Sequence, residues 1–328
     1  FIEILGGLII AGAVFLNYHL FGTLTSVYHM EVGILKGGGY WHDVAVAFIG
    51  GLLSGPYIVF LIKGYDTKFI LDNYVVLDAY DAVNSHLNIW GWLLSGFILG
   101  MGATMARGGF TYHILSGMPA LSFSSIVLGV LILASAILMA TFRQYWSFLE
   151  GGSTYAEFEN LPEVLWWVAL IIFIIISLLV FMYLIKYEHK VQYLFHYIVG
   201  GLLGFGFVIG SLLRVSKVIA FFDWAHWADS DYTIVFTIAT AVLATILLFF
   251  LSRLVGGPVW GVSHTDRYEV QFGIKEIIGA LLYGCSWGFS GFAFGPGLAG
   301  ALIYPSLLIW LLGVYMGMMI CGLYEKQQ

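Results

Sequence analysis

A chain of 328 residues that is 60% hydrophobic and 10% charged, with a mean hydropathy of +0.93, carries more apolar surface than a water-soluble core can hide. Its net charge of −6 and the lack of any basic run argue against nucleic acid as a partner. The two cysteines, Cys285 and Cys321, both sit in apolar segments and form neither a disulfide framework nor a metal knuckle.

Apolar runs long enough to cross a hydrocarbon layer of about 30 Å recur from end to end. In chain order they predict an all-α, polytopic transmembrane bundle of about nine helices. Their ranges are residues 4–29, 41–63, 86–106, 113–142, 163–187, 191–221, 232–254, 274–294 and 300–324. The whole of 1–328 reads as a single transmembrane domain, multi-pass in the cell membrane or another energy-transducing membrane, with the lipid bilayer as its first partner. Pro56, Pro119 and Pro305 fall within spans, where neighbouring helices must satisfy the freed carbonyls. Gly200, Gly201 and the stretch from Gly204 to Gly210 suit close helix contact. No repeat of fixed period stands out.

Nine spans place Lys63, Lys68, Arg143, Arg214 and Lys217 on one face. Lys36, Arg107, Lys186, Lys190, Arg253, Arg267, Lys275 and Lys326 fall on the other. The second group is the larger, so that face is expected to be cytoplasmic, with the N-terminus outside and the C-terminus inside. The outer loops are acidic, from Asp66 to Asp81, Glu150 to Glu163 and Asp223 to Asp231.

The nine histidines are the most informative feature, because ionisable groups in a membrane are costly and tend to mark cofactor or proton sites. His86 and His226 share an outer level. His29, His42, His113 and His196 lie near the inner ends of their spans, with His19 deeper. A b-type haem needs imidazoles on facing helices at one depth, so either level is a candidate haem site. The plainer reading is that histidines at helix ends anchor at the headgroups or cap carbonyls, as expected for His113 and His189. Arg214 and Lys217, three apart near an outer helix end, suit haem propionates or a quinone carbonyl, or else snorkel to the headgroups.

The stretch Asn84-Ser85-His86-Leu87-Asn88-Ile89-Trp90-Gly91-Trp92 resembles the second core helix of haem–copper oxidase subunit I, in its cbb3-type oxidase and nitric oxide reductase branch. The resemblance implies that His86 ligates the iron of a low-spin haem b. Downstream, Gly152-Ser153-Thr154-Tyr155-Ala156-Glu157-Phe158 is similar to an outer-loop segment of that branch. There it implies a place for Tyr155 and Glu157 near the propionates and a calcium ion, although Thr154 stands where the family has glutamate. The likeness spans about residues 41–255. It lapses at Trp224-Ala225-His226-Trp227, where a metal-ligand motif is expected, and no His-His pair follows. A complete oxygen-reducing or NO-reducing centre is therefore not expected.

In the C-terminal helix pair, about 274–324, a second stretch runs from Gly279 through Cys285 to Gly291, then Phe294-Gly295-Pro296-Gly297. It resembles the repeat of YeeE/YedE-type sulfur-compound transporters, with Phe294 where those have a cysteine. Three functions follow as expectations. The first is a membrane subunit of a respiratory electron-transfer complex. It would hold one or two b-type haems on His86, His226, His42 and His196, and relay electrons between quinone and partner subunits that include an outer-face redox subunit. The second is a cofactor-free scaffold of such a complex. The third is a transporter of a small solute or sulfur compound.

Overall fold

The computed structural model describes residues 2–36, 39–63, 87–143, 145, 171, 190–224, 232–261, 272–301 and 306–325. Among them the regular structure is helical, with no strand. Six helices come before the long segment between residues 145 and 190: α1 (Ile2–Phe21), α2 (Val27–Lys36), α3 (Tyr40–Lys63), α4 (Ile89–Met105), the π-helix α5 (Phe110–Gly117) and α6 (Phe123–Phe142). Six follow it: α7 (Lys190–Ile209), α8 (Val215–Phe222), α9 (Thr233–Val255), α10 (Ile274–Ser290), α11 (Phe294–Gly300) and α12 (Ser306–Glu325).

Four of these helices, α1, α6, α7 and α9, are long and apolar enough to cross a membrane. The number is six if α4 with α5 and α10 with α11, bent at 48° and 41°, each count as one span. The outward side chains agree: Leu243, Leu247, Phe250 and Leu254 line an exposed stripe of α9 that only lipid can cover. Several small polar residues inside the spans are satisfied by their own helices. Thr104, Ser135 and Thr245 each donate to a carbonyl one turn back. The chain is a multi-pass helical membrane protein.

Three segments that hydropathy reads as continuous are each two helices. The interruptions fall at 22–26, 118–122 and 210–214, and each contains a left-handed residue: Gly22 (φ 70°), Leu121 (φ 63°) and Ser211 (φ 59°). A left-handed residue ends a helix by turning the chain while local amides close the last carbonyls. At 210–214 the amide of Leu212 donates to the Phe207 carbonyl and that of Ser211 to Val208. None of the three interruptions announces itself by a charge run, so hydropathy passes through them.

The two sets of six helices are one design used twice. The bent pairs, whose ends all lie among the described residues, match closely: α4 and α5 have 17 and 8 residues, α10 and α11 have 17 and 7. The interruptions 22–26 and 210–214 are equally long and both open on a glycine, so laying Gly22 on Gly210 sets α1 and α2 in register with α7 and α8. Contacts show how the halves are related. Gly6 of α1 abuts Gly210 of α7, Ile10 lies at Gly206, and Phe21 stacks on His196, so these equivalent helices run antiparallel. The equivalent α4 and α10 do the same, with Ser286 donating to the Ser95 carbonyl while Gly102 faces Tyr283. An axis perpendicular to the helices therefore exchanges the halves. Each half is upside down relative to the other.

Exchanged pairs hold the halves together. α3 packs parallel to α7 through Gly51 and Gly55, and α1 parallel to α9 through Gly7 and the Tyr18–Phe249 stack. α4 packs on α12 through Gly96 and Gly100, which face the backbone of Trp310 and Val314. α10 packs on α6 through Gly284 and Gly288, which face Ile132 and Ala136. In lipid no hydrophobic force drives one helix onto another, so backbone approach at small residues supplies the association.

A Cβ at Gly51 would collide with the Tyr197 carbonyl of α7. Gly51→Val is expected to cost about 1–3 kcal/mol by forcing the pair apart. Gly12→Ala, where nothing lies within 4 Å of the added carbon, is expected to be neutral or to stabilise by up to about 1 kcal/mol. Unfolding in detergent, followed by far-UV circular dichroism, checks both.

Candidate functional site

The helix interruptions gather between the halves. That between α1 and α2 is held by polar groups: Asn17 Nδ2 donates to the Thr23 carbonyl (2.8 Å) and to Thr23 Oγ1 (3.3 Å). Ser26 Oγ accepts from the His29 amide and lies 2.7 Å from His29 Nδ1, capping α2. This interruption is tied to α5, because the Val27 amide donates to Thr111 Oγ1 and Ser116 Oγ donates to the Thr25 carbonyl. Between α4 and α5, Arg107 is left-handed (φ 54°), and His113 fills the turn behind it. Its Nε2 lies 3.1 Å from the Ala106 carbonyl and its Nδ1 3.4 Å from Ser125 Oγ.

The equivalent interruption between α10 and α11 turns on Gly291 (φ 77°), and the Phe294 amide donates to the Tyr283 hydroxyl (3.0 Å). The π-helix α5 and α11 meet near the axis, where Gly295 faces Thr111 and the Phe207 ring. Phe110 lies 4.9 Å from Trp287, which lies 4.8 Å from Phe222. These rings are fully buried and close the centre of the molecule. Asn17 Oδ1, Thr25 Oγ1 and the Trp310 indole nitrogen are buried beside these elements with no hydrogen-bond partner among the described residues. Polar atoms left so in a lipid-embedded interior ask for a water or a solute.

A cavity of about 280 Å³ opens at one end of the bundle, where α1 ends and α3 and α7 begin. Its walls are the rings of Phe21, Tyr40, Trp41 and Trp260, and its polar groups come from Thr23, Gln192 and His196. His196 is buried, with Nδ1 2.9 Å from the Gln192 carbonyl and its ring 3.6 Å from that of Phe21. The Tyr40 hydroxyl donates to Gln192 Oε1 (2.7 Å).

Of the residues the sequence singles out for haem, His86, His226, Tyr155 and Glu157 lie outside the described residues. His196 lines the cavity; His42 does not, and its Nδ1 lies 3.4 Å from Asp43 Oδ1. Lys217 is engaged within the protein, donating to Glu3 (3.3 Å) and Thr233 Oγ1 (3.2 Å), while Arg214 is the half-buried N-cap residue of α8. His113 caps a carbonyl, as a helix-end histidine is expected to. Among the described residues no group of three or more His, Cys, Asp or Glu side chains converges on a metal position. Sequence reading missed Asn17, Thr25 and the aromatic walls. Asn17, a polar residue in an apolar span one turn before a glycine, was the available signal.

Residues 191–328 match the model of a family of unknown function, DUF6691. The match covers less than half of the chain and begins one residue into α7, where the second half opens. No curated protein and no solved structure matches the chain.

His113→Ala would leave the buried Ala106 carbonyl without its ring donor. A loss of about 1–3 kcal/mol is expected, with the far-UV spectrum unchanged below the transition, measured by chemical unfolding in detergent.

Proposed function

We propose that the protein is a membrane transporter for a small solute. The observation that carries this reading is the inverted pair of halves with helices interrupted at equivalent positions. Repeats related by an axis in the membrane plane, with discontinuous helices meeting at their interface, let one scaffold present the same site to either side by rocking of the halves. Unwound backbone at membrane depth is tolerated only where protein or a water-filled path surrounds it. The interruptions here lie between the halves, next to the buried Asn17 Oδ1 and Thr25 Oγ1, which have no partner among the described residues. In this reading the two halves face opposite sides of the membrane. The buried rings of Phe110, Trp287 and Phe222 close the path at the centre, and the Glu3–Lys217 pair holds one end shut opposite the His196 cavity.

A second reading keeps the electron-transfer role, with quinone or b-type haem as cofactor. It is favoured by one observation, the imidazole of His196 in an aromatic cavity. Its expected haem ligands His86 and His226 are tested directly by a reduced-minus-oxidised optical spectrum of the purified protein. A b-type alpha band that His86→Ala removes would establish it.

Thr23 and Ser211 occupy equivalent places in the two halves. The transporter reading predicts that single cysteines at these two positions, with Cys285 and Cys321 replaced, react with a membrane-impermeant thiol reagent from opposite sides. Lys217→Met, which breaks the pair with Glu3, is expected to speed labelling at 211 and slow it at 23. A rigid haem carrier or scaffold would show no such reciprocal change.

A further inference from the structure

The His196 cavity has a chemistry of its own that the symmetry of the scaffold does not supply. In the other half, Leu8 stands at the place of His196 and Ile4 at that of Gln192, so the equivalent position is apolar. The polar set belongs to one end of the molecule only.

A carbonyl oxygen can only accept, so the contact of Nδ1 with the Gln192 carbonyl fixes the hydrogen of the neutral ring on Nδ1. Nε2 therefore carries a lone pair, and no described group bonds to it. The ring is held still by Phe21 on its face, and the residue is only 3% exposed. The Gln192 side-chain oxygen is occupied by the Tyr40 hydroxyl, which leaves its amide hydrogens to donate. Among the described residues no Asp, Glu, Lys or Arg side chain lines the cavity, so they offer a charged guest no counter-charge. A guest that fits is flat and neutral, gives one hydrogen bond and accepts another. The cavity opens past Tyr40 and Trp41, which are 37% and 44% exposed at a helix start, the level at which aromatic residues meet the membrane surface.

We infer that this cavity binds an aromatic ring bearing a hydroxyl, packed on Tyr40, Trp41 and Trp260, with the hydroxyl donating to His196 Nε2. Two sources offer that chemistry, the headgroup of a membrane quinol and a water-soluble phenol. The inference rests on the cavity alone and concerns binding, so it stands or falls separately from flux through the protein.

The test is calorimetric titration of the purified full chain in lipid nanodiscs, kept anaerobic, with phenol, its methyl ether anisole, decylubiquinol and tetramethylammonium. Phenol is expected to bind about tenfold more tightly than anisole, the usual margin for one buried hydrogen bond. His196→Leu is expected to bring phenol down to the anisole level and leave anisole unchanged, while Trp260→Leu weakens both. His196→Gln, whose amide oxygen restores an acceptor, should recover the preference, and it substitutes for the leucine variant if that one fails to fold. Tighter binding of decylubiquinol, in competition with phenol, assigns the site to the membrane pool; binding of phenol alone assigns it to an aqueous solute. Equal affinity for phenol and anisole, binding of tetramethylammonium in preference to both, or binding of none of the four would overturn the inference.

Discussion

Everything in this molecule depends on the close antiparallel contact of α1 with α7, where Gly6 meets Gly210 with no side chain between the backbones. A larger residue at Gly6 would run into the Gly210 backbone, separate the halves and open the interface that shelters the helix interruptions. Lipid cannot hydrogen-bond, so an interrupted helix survives in a membrane only when protein encloses its loose carbonyls and amides. The glycine contact makes that enclosure possible, and the capping groups Asn17, Ser26, His113 and Tyr283 complete it. Packing and interruption are two sides of one constraint.

The same arrangement explains why polar residues are so sparse and yet so placed. Most hydroxyls inside the spans bond their own helix and need no partner elsewhere. Others reach across: Thr111 and Ser116 bond Val27 and Thr25 at the first interruption, and Ser286 donates from within α10 to the Ser95 carbonyl of α4. They join α5 to α2 within the first half and α10 to α4 between the halves, so a movement of one half against the other must disturb the second bond. The paired Glu3 and Lys217 and the cavity at His196 lie at opposite ends of α1, which gives a nearly symmetric scaffold two chemically different faces.

The helical membrane character was plain in the sequence because hydropathy reports lipid contact directly, and α3, α9 and α10 begin within a few residues of where apolar runs predict them. The interruptions were not legible. Gly22 and Ser211 lie in stretches that hydropathy averages into single spans, and left-handed geometry leaves no mark on hydropathy. The inverted repeat was hidden because lipid-facing positions accept any apolar residue, so the halves diverged while keeping only their small-residue contacts. One trace survived: Gly91, Gly96 and Gly100 of α4 have the same spacing as Gly279, Gly284 and Gly288 of α10. Histidine depth singled out His196 as a haem-ligand candidate, and a histidine pattern alone cannot separate a carbonyl cap such as His113 from a ring that lines a cavity. The difference lies in what the second nitrogen meets, and that is a property of the fold.

Ile4 and Gln192 occupy equivalent positions at the starts of α1 and α7, so the inverted relation of the halves puts them on opposite faces of the membrane. Single cysteines at the two positions, in sealed vesicles of known orientation and with Cys285 and Cys321 replaced, measure this directly with an impermeant maleimide. The account predicts that one is labelled only from outside the vesicle and the other only after the interior is reached. Labelling of both from the same side would show that the halves are not inverted, and the transport mechanism built on them would fall.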